Sequence, residues 1–384
     1  MTSAPTFERQ GVEFFARNFP KGLELGLRNY WYPVLRSEDL TSGKIVPFKA
    51  LNEELVAWRN DRNEPCVVAD RCPHRGARFS LGRVLAGDLQ CALHGLRFDK
   101  AGRCTLIPWE PDSSPLLEQA AVTAYPSREL GGWIWAYLGD PKEFPVPRLE
   151  DVVPEELVNP DAFIVFRHPI DIWKCNWLQA LDGSDGYHAV MLHSESQPVE
   201  SKEYTGGPLQ RPSIPLEDRR VKIVDTPQGL RGIAYQPGGE ELHHGHFTKG
   251  WKGERWTLPC LFSLPLKPAP NLPAYVARLY QFPVDATHTQ NSRWVAMRAE
   301  NDAQREECWR LYEAVIGPRQ RTVMQEDKVI TESIGDVVET RLGEHLFAAD
   351  RDVVRVRKMM SDAWISQKSG ERPLHRPEAM VFPV

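Results

Sequence analysis

Cys72-Pro73-His74 and Cys91-Ala92-Leu93-His94 bring two thiolates and two imidazoles into one stretch of the chain, and each short hook mixes one of each. Zinc can use the same four side chains, but zinc sites commonly take Cys as one close pair and His as the other. The alternation found here suits a two-iron cluster in which the two Cys hold one iron and the two His hold the second. Gly76, Gly82, Gly95 and Gly102 allow two tight loops to close around such a cluster, and Pro73 stiffens the first.

A second constellation reads Asp185-x-x-His188-x-x-x-x-His193. Three residues apart, Asp185 and His188 are about 60° apart around a helix, so the carboxylate can reach the imidazole and fix its tautomer. His193 lies about 140° around from His188, so Gly183 and Gly186, or a π-bulge, must bend the segment if both imidazoles serve one ion. A third ligand has to come from elsewhere. Val323, Asp327, Ile330 and Ile334 are spaced four, three and four, which puts Asp327 on an otherwise apolar helical stripe. An unpaired buried carboxylate costs several kcal/mol or more, so a metal, or a cation such as Arg319 or Arg321, is expected beside it. Glu326, about 100° off the stripe, is the weaker candidate. His188, His193 and Asp327 would form a two-His, one-carboxylate face for non-haem Fe(II), with positions left open for oxygen and substrate. Taken singly, each of these His residues is more often a core or surface residue.

Elements that could position both sets are legible around them. The chain has 384 residues, enough for two or three domains with real cores. Apolar content of 41% and charged content of 26% are those of an ordinary globular protein. No 18-residue apolar run suggests a membrane span, Met1 to Gln10 lack a secretion signal, and a cytoplasmic location is expected. Cys66, Cys104, Cys175, Cys260 and Cys308 are expected as reduced, partly buried thiols. The net charge is −5, yet residues 71–103 hold seven basic residues against two acidic ones. That basic collar either is solvated loop surface or steers an acidic electron donor. No basic and aromatic interleaving argues for nucleic acid.

Residues 1–27 are an amphipathic lead-in with Phe14, Phe15 and Phe19, and Tyr30 to Val34 open the cluster domain at residues 28–150. Leu55 to Trp58 and Cys66 to Ala69 form a hairpin pattern, Leu96 to Phe98 a further strand, and Gly132 to Leu138 a strand buried on both faces. Residues 151–384 mix strands and helices. Hairpin arms at Tyr275 to Phe282 and Arg293 to Arg298 flank a turn-rich Pro283 to Asn291. A helix capped by Asn301 or Asp302 ends at Gly317-Pro318, another starts near Gln320, and a last one carries Val353, Val356, Met360 and Trp364. His243, His244 and His246 lie in a polar turn region, while Trp251, Trp256 and Phe262 read as core.

Cys72-Pro73-His74-Arg75-Gly76-Ala77 and Cys91-x-x-His94-Gly95, with Asn176-Trp177, Asp185 to His193 and Glu326-Asp327-Lys328, resemble the α (oxygenase) subunits of Rieske non-haem iron aromatic ring-hydroxylating oxygenases. The flavour is closest to the homo-oligomeric group with carbazole dioxygenase-like and O-demethylase-like members. The resemblance implies an α+β fold, in which an N-terminal Rieske β-sandwich precedes a helix-grip (START-like) catalytic domain with a curved antiparallel sheet and helices around an apolar pocket. It implies a [2Fe-2S] cluster on Cys72, His74, Cys91 and His94, and mononuclear Fe(II) on His188, His193 and Asp327. Imidazole ligation raises the cluster's potential from about −400 mV to at least about −150 mV. At about 59 mV per tenfold, reduction becomes easier by roughly four powers of ten.

The resemblance further implies a homotrimer in which Asp185 bridges electrons from His94 of the neighbouring subunit. Its partners are a ferredoxin and/or ferredoxin reductase, with NAD(P)H acting only through the separate reductase. O2 and an apolar or aromatic small molecule are the substrates. O- or N-demethylation is the alternative reaction, and a non-catalytic electron-transfer or redox-sensing module the alternative class. Two departures stand out: Ala92, Leu93 and Leu96 where relatives often carry aromatic residues, and Asp182 where Asn is usual.

Overall fold

The structure is a computed structural model that describes residues 20–183, 188, 192–193, 220–227, 229–235, 255–266, 272–346 and 350–375. Asp185, Phe14, Phe15, Phe19, His243, His244, His246 and Trp251 lie outside the described residues. The chain divides into two compact units: Leu25–Leu149 with Phe282–Ala286, and the remainder.

In the first unit β1 (Tyr30–Arg36) precedes β2 (Val46–Ala50), β3 (Glu53–Arg59) and β4 (Pro65–Ala69). The short strands β5 (Arg83–Leu85), β6 (Asp88–Gln90), β7 (Arg97–Phe98) and β8 (Cys104–Leu106) follow, then β9 (Ala124–Tyr125), β10 (Ser127–Leu130) and β11 (Trp133–Leu138). They form three sheets, β1-β11-β10, β2-β3-β4-β9 and β5-β6-β7-β8. The expected hairpin is present, with Leu55 opposite Ala69 and Trp58 opposite Cys66. Every residue of β11 is buried, as its unbroken apolar run requires of a central strand. A core of Val56, Trp58, Val68, Phe79, Leu89 and Phe98 includes Cys72, Cys91 and Cys104. The two hook cysteines are thus core residues, placed by the same apolar burial that holds the sheets together.

The second unit is built on one antiparallel sheet ordered β12-β19-β18-β17-β16-β15-β14, with β13 paired to β19. Its strands are β12 (Phe163–Arg167), β13 (Asp171–Trp173), β14 (Arg220–Thr226), β15 (Gly229–Tyr235), β16 (Trp256–Thr257), β17 (Leu261–Leu266), β18 (Tyr275–Asp285) and β19 (His288–Arg298). The α+β architecture agrees with expectation, but the central hairpin is longer than its sequence suggests. β18 and β19 run through Pro283 and Asn291 to a two-residue turn. Pro283 is tolerated because β17 pairs only with Tyr275 to Tyr280, so no ladder donor is required there from that side.

Among the described residues the α-helices longer than four residues are α1 (Trp177–Asp182), α2 (Asp302–Leu311), α3 (Gly317–Glu332), α4 (Val337–Gly343) and α5 (Arg351–Lys368). Asn301 caps α2 by accepting from Gln304 N. The chain does not stop at Gly317-Pro318. A π-helical turn at Tyr312–Ile316 leads directly into α3, and Pro318 occupies its first turn, where no amide donor is needed. A Cβ on Gly317 would meet Tyr312 O at 3.0 Å and the Tyr312 ring at 3.3 Å, so a side chain there would crowd Tyr312. In α5 the expected stripe is buried at Val353, Val356 and Met360. Among the described residues no helix is long and apolar enough to cross a membrane.

Candidate metal centres

Both hooks fold into the same loop. Cys72 N donates to Ala77 O and Gly76 N to Cys72 O, at 2.8 and 2.9 Å; Cys91 N donates to Leu96 O and Gly95 N to Cys91 O, at 2.9 and 3.0 Å. The fifth residue of each loop is a glycine in the left-handed region, with φ of 75° and 80°. The loops are held from behind by two buried polar residues that the sequence did not single out. Asp70 accepts from Ser80 N and Oγ, and Gln90 donates to Gly95 O while accepting from Arg83. Asp70 precedes the first hook and Gln90 the second, a placement that could have drawn attention to them.

Cys72 and Cys91 are buried, His94 is half-buried and His74 is exposed. The two imidazole rings are 4.6 Å apart at 67°. His94 Nδ1 is buried without a protein hydrogen-bond partner, an orphaned lone pair of the kind a metal ion satisfies. Burial pushes the Cys72 thiol up to about 11; a backbone hydrogen bond involving His74 opposes the shift, and the adjacent Cys91 thiol adds to it. Thiols in that state become thiolates when a metal's charge displaces the proton. Two sulfurs, two imidazoles and an orphaned nitrogen therefore fit a histidine-ligated iron–sulfur cluster.

The other five cysteines are also free thiols, all buried rather than partly so. Four of the seven basic residues of the collar are paired with acids, some from outside the segment: Arg71 and Arg78 on Glu54, Lys100 on Glu64 and Arg103 on Asp99.

In the second unit, α1 begins with a capping box. The Asn176 side chain accepts from Leu178 N at 3.1 Å, and the Gln179 side chain accepts from Asn176 N at 3.0 Å. Beyond α1, Leu192 N donates to His188 O at 2.7 Å, and His193 follows at once, buried. Asp327 comes from α3. His188 Nε2 and His193 Nε2 approach the same Asp327 Oδ1, at 3.3 and 3.1 Å, and one ligand atom from each residue lies within 4.8 Å of the others. Ligands on neighbouring octahedral positions with bonds of about 2.1 Å stand about 3 Å apart, so these N···O separations suit a shared ion.

Burial works to raise the Asp327 carboxyl, but hydrogen bonds from both imidazoles outweigh it and hold the group below its usual value. Neither Arg319 nor Arg321 takes the role of its close partner; the two imidazoles do. The apolar stripe expected around Asp327 is wrong, because Ile330 and Ile334 are 50% and 47% exposed. The buried face of α3 is Gly317, Gln320, Met324 and Thr331, and Asp327 falls in step with it. Glu326, weighed as a ligand, instead lies 2.7 Å from His193 Nδ1, the ring nitrogen that faces away from Asp327.

The three groups open on a pocket lined mainly by apolar side chains, including Phe262, Leu264, Leu266, Ala277 and Leu279, with Arg255, Gln281, Arg319, Gln320 and Thr331 as polar exceptions. Phe262 and Trp256 are buried as expected of core residues, and Phe262 also lines this pocket. Asp182 accepts from Arg357 and Arg341.

Residues 30–126 match the Rieske [2Fe-2S] domain. The 3-chlorobenzoate-3,4-dioxygenase oxygenase subunit of Comamonas testosteroni is 26% identical, over 89% of this chain and 85% of that protein. The 5,5'-dehydrodivanillate O-demethylase oxygenase subunit of a Sphingobium species is 34% identical over 44% of this chain and 39% of its own. The oxygenase–ferredoxin complex of carbazole 1,9a-dioxygenase has the same fold, with a TM-score of 0.68 at 22% identity over 94% and 95% of the two chains. The domain match accounts for the paired hooks, and the relatives extend the likeness across the sheet and helices that bring His188, His193 and Asp327 together. The chain therefore carries a Rieske [2Fe-2S] domain and is similar, over most of its length, to the α (oxygenase) subunits of Rieske non-haem iron oxygenases.

Proposed function

We propose that the protein is the terminal oxygenase of a multi-component system that hydroxylates an aromatic or similarly apolar small molecule. In this reading Cys72, Cys91, His74 and His94 hold the cluster, and His188, His193 and Asp327 hold the iron. When bound, the two groups supply single electrons and the activation of O2. The observation that carries the reading is the meeting of His188, His193 and Asp327 at the wall of an apolar pocket. There Glu326 sets the His193 tautomer, leaving Nε2 as the metal-facing nitrogen. The aliphatic and aromatic lining excludes water and binds the substrate by burial.

Asp185, three residues before His188, is assigned the bridge from His94 of the neighbouring subunit in a head-to-tail homotrimer. A ferredoxin and/or ferredoxin reductase supplies the electrons, NAD(P)H acts only through that reductase, and the assembly is cytoplasmic. The carbazole 1,9a-dioxygenase oxygenase, whose fold matches, forms a complex with a ferredoxin. Relatives named for 3-chlorobenzoate and phthalate support an aromatic substrate.

The test supplies purified chain with a ferredoxin and reductase under 18O2 and screens aromatic compounds by mass spectrometry. Three iron atoms per chain and 18O in a product are expected. Release of formaldehyde without a hydroxylated ring would move the reaction to demethylation. Two iron atoms per chain in active material would reduce the second unit to a ligand-binding module.

A further inference from the structure

We propose that Asp182 is a positioning residue for the iron site, fixing the segment that leads to His188 and His193 against the helices that carry and follow Asp327. The inference rests on the reading of His188, His193 and Asp327 as one iron site. Those ligands come from segments more than a hundred residues apart in sequence, so their separation is set by whatever ties the segments together.

Beside the Lys328 Nζ donations to Asp171 Oδ1 and Ile172 O, three polar ties run between them. Lys174 N donates to Glu332 Oε1 at 2.8 Å, Gln179 Nε2 donates to Gly335 O at 2.8 Å, and Arg341 Nη2 donates to Asp182 Oδ2 at 3.2 Å. The first reaches the end of α3, the second the link after it, and the third α4. The Asp182 tie is the one nearest the iron-binding imidazoles, because α1 ends there and His188 is six residues on. Gly183, next in the chain, lines the pocket together with Thr331 of α3.

Asp182 has unusual needs of its own. A carboxylate in the last position of a helix meets the negative end of the backbone dipoles, an unfavourable place unless cations are brought to it. Two are. Arg357 of α5 donates to Asp182 through Nε at 3.0 Å and Nη2 at 2.7 Å, and its Nη2 also reaches Glu344 Oε2 at 3.0 Å. The side chains of Arg341 and Arg357 are 6% and 9% exposed. Two carboxylates and two guanidiniums balance, and a balanced buried set resists the loss of any one member. An Asn at this position could not neutralise either guanidinium.

The test uses full-length chain loaded with both metal groups. Ferrous iron affinity is measured by competition with a chelator, beside the visible spectrum of the cluster and the thermal midpoint. Asp182→Asn is expected to weaken iron binding about tenfold or more while the cluster spectrum is unchanged. Asp182→Glu, which keeps the charge, is expected to restore most of the affinity. Should Asp182→Asn not fold, Arg341→Gln breaks the same tie and leaves the Asp182–Arg357 pair, with the same loss expected. Wild-type iron affinity in the neutral variant overturns the proposal, as does a loss of iron only in step with the cluster and the midpoint, without rescue by Glu. A wild-type chain that binds no third iron refutes instead the iron-site reading beneath it.

Discussion

Glu326 Oε2 lies 2.7 Å from His193 Nδ1, while Nε2 of the same ring lies 3.1 Å from Asp327. Adjacent carboxylates on α3 thus address opposite nitrogens of one imidazole: one fixes the proton on Nδ1, the other shares the site that Nε2 faces. Glu326→Gln keeps the size of the side chain but removes the charge that holds this tautomer. Ferrous iron affinity is expected to fall about 10- to 100-fold, with the cluster's visible spectrum intact. Chelator competition measures the first and absorbance the second; unchanged affinity would deny Glu326 its orienting role.

Glycines around the cluster loops separate backbone cost from crowding. Gly76 and Gly102 have nearly equal φ, 75° and 76°. A Cβ at Gly76 meets nothing within 4 Å, whereas one at Gly102 would lie 2.1 Å from Val122 O. Gly76→Ala is therefore expected to cost about 1–2 kcal/mol, the left-handed penalty alone. Gly102→Ala, which must also push back a neighbouring strand connection, is expected to cost several kcal/mol and to lower cluster content on expression. Thermal midpoints of the two variants, measured side by side, test the contrast.

The sequence reveals what depends on near neighbours and conceals what depends on distant ones. Both hooks are legible because each loop closes on itself within six residues, and β11 because its apolar run has one solution. Asp327 emerges as a carboxylate out of place in an apolar pattern, although the true pattern is the Gln320, Met324 and Thr331 face and not the exposed Ile330 and Ile334. The roles of Glu326 and Asp182 are invisible locally, since their partners lie 133 and 175 residues away. The continuation past Pro318 is hidden for a different reason: a π-turn before it moves the proline into a first turn, where its missing donor is harmless.

The collar of basic residues leads to a weaker electrostatic expectation than its composition suggests. Arg103 is paired with Asp99 at 2.7 Å, while Arg75, exposed beside His74, has no carboxylate partner among the described residues. Arg75→Glu is expected to slow reduction of the cluster by an acidic ferredoxin several-fold at low salt, and Arg103→Glu to do so less. Stopped-flow reduction at two ionic strengths separates the cases. Equal rates for both variants would remove the steering role from Arg75.

Acid should weaken the second unit through His168. Burial first, then the positive charges of Arg293 and Arg321, hold its imidazole down to about 3 from an ordinary 6.5. The ring is 3% exposed, and its Nε2 lies 3.3 Å from the Tyr312 hydroxyl. Above pH 6.5 both folded and unfolded chains carry the neutral ring, so the residue adds no pH dependence. As the pH falls below 6.5 the unfolded chain takes up a proton that the native site refuses, and stability is lost until about pH 3. Each unit in that window costs about 1.4 kcal/mol, so a fall from pH 6.5 to 5 removes about 2 kcal/mol. His168→Gln keeps an acceptor for Tyr312 but cannot titrate. Its thermal midpoint is expected to drop less than the wild type's between those two pH values, and identical drops would assign the acid sensitivity to other groups.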